Sequence, residues 1–464
     1  MKNSFSIYLF AFAAIFFFSC NEEGEEDEEL NPNVNINNWI YATMNYYYYW
    51  NIEMPLSYDA QLDPLDFYET ILSNQDRFSI IRPDYQELLD FLNGTRFEAG
   101  YDFQWIEDTE TAQNLLVITY VKDNSPAHQA GLLRGDQITH INGIEITADN
   151  IRDLVSSITD LHSITYERLI DGVFETQPEL SLTTIPLEEN PNYLDTIYEV
   201  NGRKVGYFVY NYFPKDSSSS PYTIELHDVF RNFKENGITD LVADFRYNSG
   251  GFVNTATTLA SLIVADATEE DVFFESEFND FYGTYLESIA GEQYFFQRFQ
   301  EKNENIGSMI NNQVYVLTGP NTASASELVI NGLSAYMNVT LIGGQTVGKN
   351  VGSTLLGDRY NEANNYALLP IVVRHTNSLG ISEFENGFVP DAANRINEFL
   401  EPLTPLGDLN EPLLARAIEL ISGLPAKKLT KKGRRVQVKK SLKDFYGTSQ
   451  IMIESGLPFD LSDR

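Results

Sequence analysis

The amino-acid sequence predicts a multidomain α/β protein: an N-terminal helical segment, a small β-rich module and a mostly parallel βα core. Three observations predict it. At 464 residues the chain exceeds what one typical hydrophobic core accommodates. Between about 96 and 186, short apolar or alternating runs are punctuated by turn residues. From about 190 onward, strand-like and helix-like runs alternate, the rhythm of a parallel sheet covered by helices.

The chain starts with Lys2 ahead of FSIYLFAFAAIFFF, an apolar run of secretory length and too short to span a bilayer comfortably. It ends at Ser19-Cys20, and Cys20 is the single cysteine, so no internal disulfide is available. The run FFSC resembles a bacterial lipobox, although Phe17 stands where Leu is usual. The resemblance implies a lipoprotein signal peptide over 1–19 and a lipidated Cys20 that attaches the protein to a membrane. NEEGEEDEEL then carries seven acids in ten residues, which repel one another, so 20–38 is expected to be an extended acidic tether. It also resembles the export signals of Bacteroidetes-type surface lipoproteins. Residence in the cell envelope, at the periplasmic side or surface of the outer membrane, is the expectation that follows.

Residues 39–95 are expected to be helical. INNWIYATMNYYYYWNIEMP bears aromatics at helical spacings up to Pro55, and such a crowd suits core packing. Within 60–95, read as helical and polar, LDFYETIL is the most periodic piece.

The module at 96–186 opens with the strand patterns AGYDFQW and LLVITYV. Ser125-Pro126 starts a short helix, because proline suits the first helical turn. Gly131 ends that helix, Arg134-Gly135-Asp136 turns into the strand QITHI, and Asn142-Gly143 signals a hairpin. TADNIRDLVSSI reads as a second helix. The combination SPAxxAGLxxGDxIxxINGxxI resembles a PDZ domain. PDZ domains bind peptide ends by strand addition along the edge beside their second helix. Gly100 and Tyr101 stand where the family holds a peptide's terminal carboxylate, without the usual Gly-aliphatic-Gly pattern. A structural lid without a ligand is the alternative.

In the core, residues 187–423, three strand ends are rich in small residues. LVADFR runs into YNSGG, VYVLT into GPNTASASE, and TLIGG into QTVGKN. Ligands in such sheets sit at the carboxyl ends of the strands. Gly250 and Gly251 have no Cβ to block a carbonyl, and an amide aimed at developing negative charge contributes roughly 3–4 kcal/mol. Residues 324–326 lie where a helix begins, with amides at the positive end of its dipole. A serine there needs a base. Of the five histidines only His375 falls near a late strand end. Lys349 is the better candidate, since an amine desolvated among glycines and apolar strands can be neutral near pH 7–8.

ASASE, a GG loop after a strand ending DFR, and GK twenty-five residues after the middle serine resemble the carboxy-terminal processing peptidases, tail-specific Ser/Lys proteases that carry a PDZ domain. The resemblance covers about 96–391 and includes VGYFVYNYF and NGFVPD. It implies that Ser324 is the nucleophile and Lys349 the general base. The amide of Ala325 and one from Gly250 or Gly251 would form the oxyanion hole. Ser326 is the rival nucleophile, disfavoured by spacing. Ser353 stands where the family often has a glutamine that orients the lysine, and would accept from the amine less firmly or through water. Asp244 and Arg246 are read as structural. No metal or cofactor is implied, and no CxxC or HExxH spacing suggests one.

Sixty-seven acids against thirty-one bases, a net charge of −36, argue against a nucleic-acid partner. The 424–464 extension runs against that balance, with nine Lys or Arg and no acid over 427–443. It reads as a solvated tail, with docking on the acidic body or an anionic surface as alternatives. The expected function is a serine endopeptidase of extracytoplasmic proteins or peptides, with PDZ-assisted substrate binding or gating. A catalytically weak peptide-binding surface lipoprotein is the alternative. A carbohydrate-capture lipoprotein, suggested by acidity and 27 tyrosines, leaves the glycine, serine and lysine motifs unexplained.

Overall fold

The structure, a computed structural model, describes residues 31–424 except 93–94, 217–218, 359 and 401, together with 436–441 and 451–454. Cys20, the expected signal peptide and the acidic run NEEGEEDEEL lie outside the described residues.

A five-stranded sheet forms the centre of the core. Its strands are β1 (Asn192–Val200), β2 (Arg203–Tyr210), β3 (Asp240–Asp244), β4 (Gln313–Thr318) and β5 (Asn338–Gly343), hydrogen-bonded in that order. β2 to β5 are parallel and β1 is an antiparallel edge. Helices α1 (Pro221–Asn236), α2 (Val253–Ile263) and α3 (Ala325–Ser334) contribute to one large core with the sheet. The opposite face is covered by α4 (Pro412–Ser422), through Leu413, Leu414 and Ala417 against Val205, Val209 and Leu317. Pro221 opens α1, and Gly237 closes it in the left-handed conformation at φ 67°, which glycine adopts without a steric cost.

A second sheet was not foreseen. Its six strands run in the order Gly250–Phe252, Ile451–Ile453, Val351–Ser353, Ile371–Asn377, Val272–Phe278 and Phe296–Arg298. Four of these have three residues, too few to show alternation in a sequence.

The N-terminal region departs from expectation in three ways. Its first helix is Pro32–Tyr47, capped by the Asn31 side chain, so helix replaces the last part of the expected tether. That helix ends well before Pro55. Residues 60–95 hold only two helices, Pro64–Ile71 and Tyr85–Leu92, with a strand Ile80–Arg82 between them. This strand pairs with Ala367–Leu369, nearly three hundred residues away. The aromatic crowd is core, as its composition suggests: Tyr47, Tyr48, Phe67 and Tyr68 pack with Tyr282, Ile371 and Val373 of the second sheet's layer.

The PDZ-like module is a sheet built on Tyr101–Asp108, Asn114–Val121, Gln137–Ile141 and Leu161–Ile170. Its helices are short, Pro126–Gln129 and Ile151–Ser156. The Asn142-Gly143 hairpin forms with φ of 51° and 75°, the left-handed pair its turn needs. Thr95–Glu98 pairs with Ile185–Glu188, so the two ends of the module meet. The basic extension is not wholly a solvated tail: Val436–Ser441 adds a strand to the edge at Tyr101–Asp108. Among the described residues, no helix is long and apolar enough to cross a membrane.

Candidate active site

Three loops meet beyond the carboxyl ends of β3, β4 and β5. Asn248, in the loop after β3, ties them together. Its side chain donates to Tyr210 O at 2.8 Å and accepts from Gly250 N at 2.9 Å. Its carbonyl accepts from Ala323 N at 3.1 Å and Ser326 Oγ at 3.2 Å. Ser326 is thereby engaged in holding the loop. Thr322 Oγ1 donates to Phe245 O at 2.8 Å, and Val347 N donates to Thr322 O at 3.0 Å.

Ser324 stands between β4 and α3 with φ 64° and ψ −117°. A non-glycine residue there is strained, a state that persists where surrounding structure over-determines it and that recurs at nucleophiles on sharp strand-to-helix turns. Its hydroxyl is buried at the start of a capping box, facing the backbone N–H of Glu327. Glu327, one turn on, supplies the constraint. One carboxylate oxygen, Oε2, accepts from Ser324 N and from Lys349 N, each at 2.8 Å. The two amides are therefore no further apart than twice that length. The other oxygen accepts from Gly348 N at 2.7 Å and Thr346 Oγ1 at 2.5 Å. Burial pushes the Glu327 carboxyl up, and these four donors pull it down. The Ser-x-x-Glu spacing is a capping signature that the sequence displayed, but the role of Glu327 in joining two loops was not read from it.

Lys349 is buried, and burial lowers its amine from an ordinary 10.5 to about 7, against the opposing charges of Asp76 and Glu327. The amine lies 5.0 Å from the centroid of the Phe78 ring. Arg77, next to it, donates to Gly348 O at 2.9 Å and Glu385 O at 2.8 Å. The N-terminal region thus builds one wall around the lysine. No sequence signal near Asp76, Arg77 or Phe78 pointed to this. A cleft of about 270 Å³ is lined by Trp50, Arg77, Phe78, Asn350, Val351 and Arg374, among others, while Lys349 and Ser324 are not among its lining residues.

Of the two glycines, Gly250 has its N–H committed to Asn248 Oδ1. Phe213 N donates to Gly250 O, and Phe252 N donates to Phe213 O. Alternation along a strand then turns the Gly251 N–H away from Phe213, toward the neighbouring strand Ile451–Ile453. A Cβ on Gly251 would lie 2.1 Å from Phe213 O, so no other residue fits. Ala325 begins α3, where helix geometry leaves its amide without an intrahelical acceptor.

One expectation is corrected. The Ser353 hydroxyl is buried with no hydrogen-bond partner among the described residues, so the expected bond to the lysine amine is not made. Its backbone is fixed in the second sheet. Gly100 and Tyr101 form a packed turn: Gly100 O accepts from Lys122 N at 2.8 Å, and a Cβ there would lie 2.0 Å from Ser125 Cβ. Tyr101 is buried, its hydroxyl 3.3 Å from His162 Nε2. His375 is also buried, bonded to Glu454 at 2.7 Å. Asp244 and Arg246 form a buried ion pair at 2.8 Å.

Residues 204–391 match the model for peptidase family S41, residues 35–80 the peptidase S41 N-terminal domain, and residues 117–168 a PDZ domain. The two S41 matches together span half of the chain. Over 277 residues the chain is 23% identical to a CtpA-like serine protease of Staphylococcus aureus, covering 59% of this chain and 50% of that one. It is likewise 23% identical over 257 residues to the carboxy-terminal processing protease CtpA of Bacillus subtilis, covering 55% and 48%. The chain thus spans about half the length of the curated relatives it matches. A crystal structure from Bacteroides fragilis, assigned to the S41 proteases, superposes with a TM-score of 0.67 at 27% identity, covering 83% of this chain and 97% of that one.

Proposed function

Because this chain belongs to peptidase family S41, we propose that it is a serine endopeptidase working through a Ser324/Lys349 dyad. Ser324 Oγ attacks the scissile carbonyl while the uncharged Lys349 amine takes its proton. Negative charge developing on the carbonyl oxygen falls to the amides of Ala325 and Gly251. Lys349 returns the proton to the departing amine, leaving an acyl ester on Ser324. Water, deprotonated by Lys349, then releases the product acid and restores the hydroxyl.

One observation carries this reading: a lysine buried until its amine falls to about 7 sits on a loop whose amide shares a carboxylate oxygen with the amide of Ser324. A peptide-binding protein without catalysis has no need to bury an amine at that cost. Cleavage of casein by wild type, Ser324→Ala and Lys349→Ala tests it. Lys349→Ala is expected to lose about 10²–10⁴-fold in kcat, and Ser324→Ala at least as much. Equal cleavage by all three ends the proposal.

The substrates we infer are extracytoplasmic proteins or peptides that the PDZ module binds or gates. Attachment to the cell envelope through a lipidated Cys20 belongs to the same proposal, supported by the FFSC motif and the acidic run after it. Incorporation of labelled palmitate by wild type and its loss in Cys20→Ala is the expected outcome, and labelling of both overturns it.

A further inference from the structure

The strand Ile451–Ile453 runs between the two strands that flank the site. On one edge it pairs parallel with Gly250–Phe252, Met452 standing opposite Gly251. On the other, Ile453 stands opposite Ser353, and Glu454 N donates to Ser353 O at 2.9 Å. Since Gly250 C=O and Phe252 N–H face Phe213, the N–H and C=O of Gly251 face this inserted strand. The chain's own C-terminal segment therefore lies along the edge whose amide is proposed to hold the oxyanion. That edge is where an extended peptide would take its main-chain bonds.

The side chains fit as a ligand's would. Met452 is fully buried in the main core, and Ile453 packs with Leu88, Phe252 and Leu369. The Glu454 carboxylate meets His375 Nε2 at 2.7 Å. Upstream, Val436–Ser441 pairs antiparallel with Tyr101–Asp108, the edge of the PDZ sheet, with Val436 opposite Asp108 and Ser441 opposite Gln104. Lys439 forms an ion pair with Glu107 at 2.9 Å, and Val436 and Val438 pack with Ile106 and Phe399. One C-terminal segment thus pairs with a strand in each of two domains.

We propose that the described pieces of this segment, 436–441 and 451–454, are a built-in, displaceable occupant of the peptide track. They hold the PDZ edge and the Gly250–Phe252 edge until a substrate displaces them. The preferred substrate is an extended peptide with two successive apolar residues followed by an acid. An occupant tethered in the same chain acts at an effective concentration on the order of millimolar, so it weakens a competing peptide without needing tight contacts. The identity of the track rests on the peptidase reading, and the test separates the two.

The probe is a fluorescein-labelled SQIMIESG peptide, its anisotropy measured with the full chain carrying Ser324→Ala so that nothing is cleaved. In that background, Met452→Asp and Val438→Pro are each expected to tighten binding of the peptide at least 10-fold. Val438→Pro touches only a half-buried edge strand, so it decides the matter if Met452→Asp disturbs the core. Equal affinity in the parent and the folded Val438→Pro variant overturns the proposal. Val438→Pro with Ser324 intact is expected to cleave casein faster than wild type. If peptide binding tightens while no chain with Ser324 cleaves, the occupant stands and the proteolytic reading falls.

Discussion

Lys349 carries a cost that can be measured apart from catalysis. Its amine sits at about 7 in the folded protein against an ordinary 10.5. Between those values the unfolded chain binds the proton that the folded chain has shed, so folding stability rises with pH across the window. Below about 7 the penalty is fully present, and above 10.5 it is gone. At about 1.4 kcal/mol per unit, Lys349→Met is expected to stabilise the protein by a few kcal/mol below pH 7, and by little above pH 10.5, in denaturant titrations at the two pH values. A variant equally stabilised at both would mean the amine is not desolvated. Under the proposed mechanism the same group sets the rate, and kcat/KM is expected to rise with pH through about 7, as Lys349 becomes a free base. At this scale much was legible. Ser324 and Lys349 stood out by type and spacing, and the structure joins their two loops through Glu327. The hydroxyl of Ser353 did not fulfil its expected part, because a position counted along the chain does not say where a side chain reaches.

The stretch around Asp76-Arg77-Phe78 links an element outside the peptidase core to the base. Tyr48 donates to Asp76 at 2.8 Å, the Asp76 carboxylate accepts from Phe78 N at 2.8 Å, and the Phe78 ring covers the lysine. Phe78→Ala should admit water to the amine and return it toward its ordinary value. The expected result is a pH–rate profile moved to higher pH by on the order of one unit, with KM little changed. A profile that keeps its midpoint while activity drops would assign Phe78 to packing alone. This wall was not legible from local patterns, because its elements are defined by distant partners. Ile80–Arg82 is a strand only because Ala367–Leu369 lies beside it. By contrast, α1 and the Asn142-Gly143 hairpin were legible because their end signals are local: a proline and a glycine for one, two left-handed residues for the other.

Across the whole molecule, buried charges join the PDZ module to the loop that carries Gly250 and Gly251. Arg134, in the turn of the module, donates to Thr119 O at 2.6 Å within it and to Thr404 O at 2.8 Å outside it. It also pairs with Glu398 at 2.7 Å. Glu398 accepts from Tyr247 at 2.8 Å and from Arg246 at 2.9 Å, and Arg246 is held in turn by Asp244 and Glu411. Tyr247 precedes Asn248 and the two glycines directly in the chain, so a movement of the module acts on the loop through one hydroxyl and one carboxylate. Removing one partner from a buried pair leaves the other uncompensated, a loss of about 3–5 kcal/mol. Arg134→Met should therefore destabilise the protein by that order and, because the lost contacts cross between domains, split a single calorimetric transition into two. Arg134→Lys keeps the charge but not the planar fork that reaches four acceptors at once, the Tyr247 hydroxyl among them, and is expected to fall between. One transition in all three proteins, at one temperature, would show that this network does not couple the module to the core.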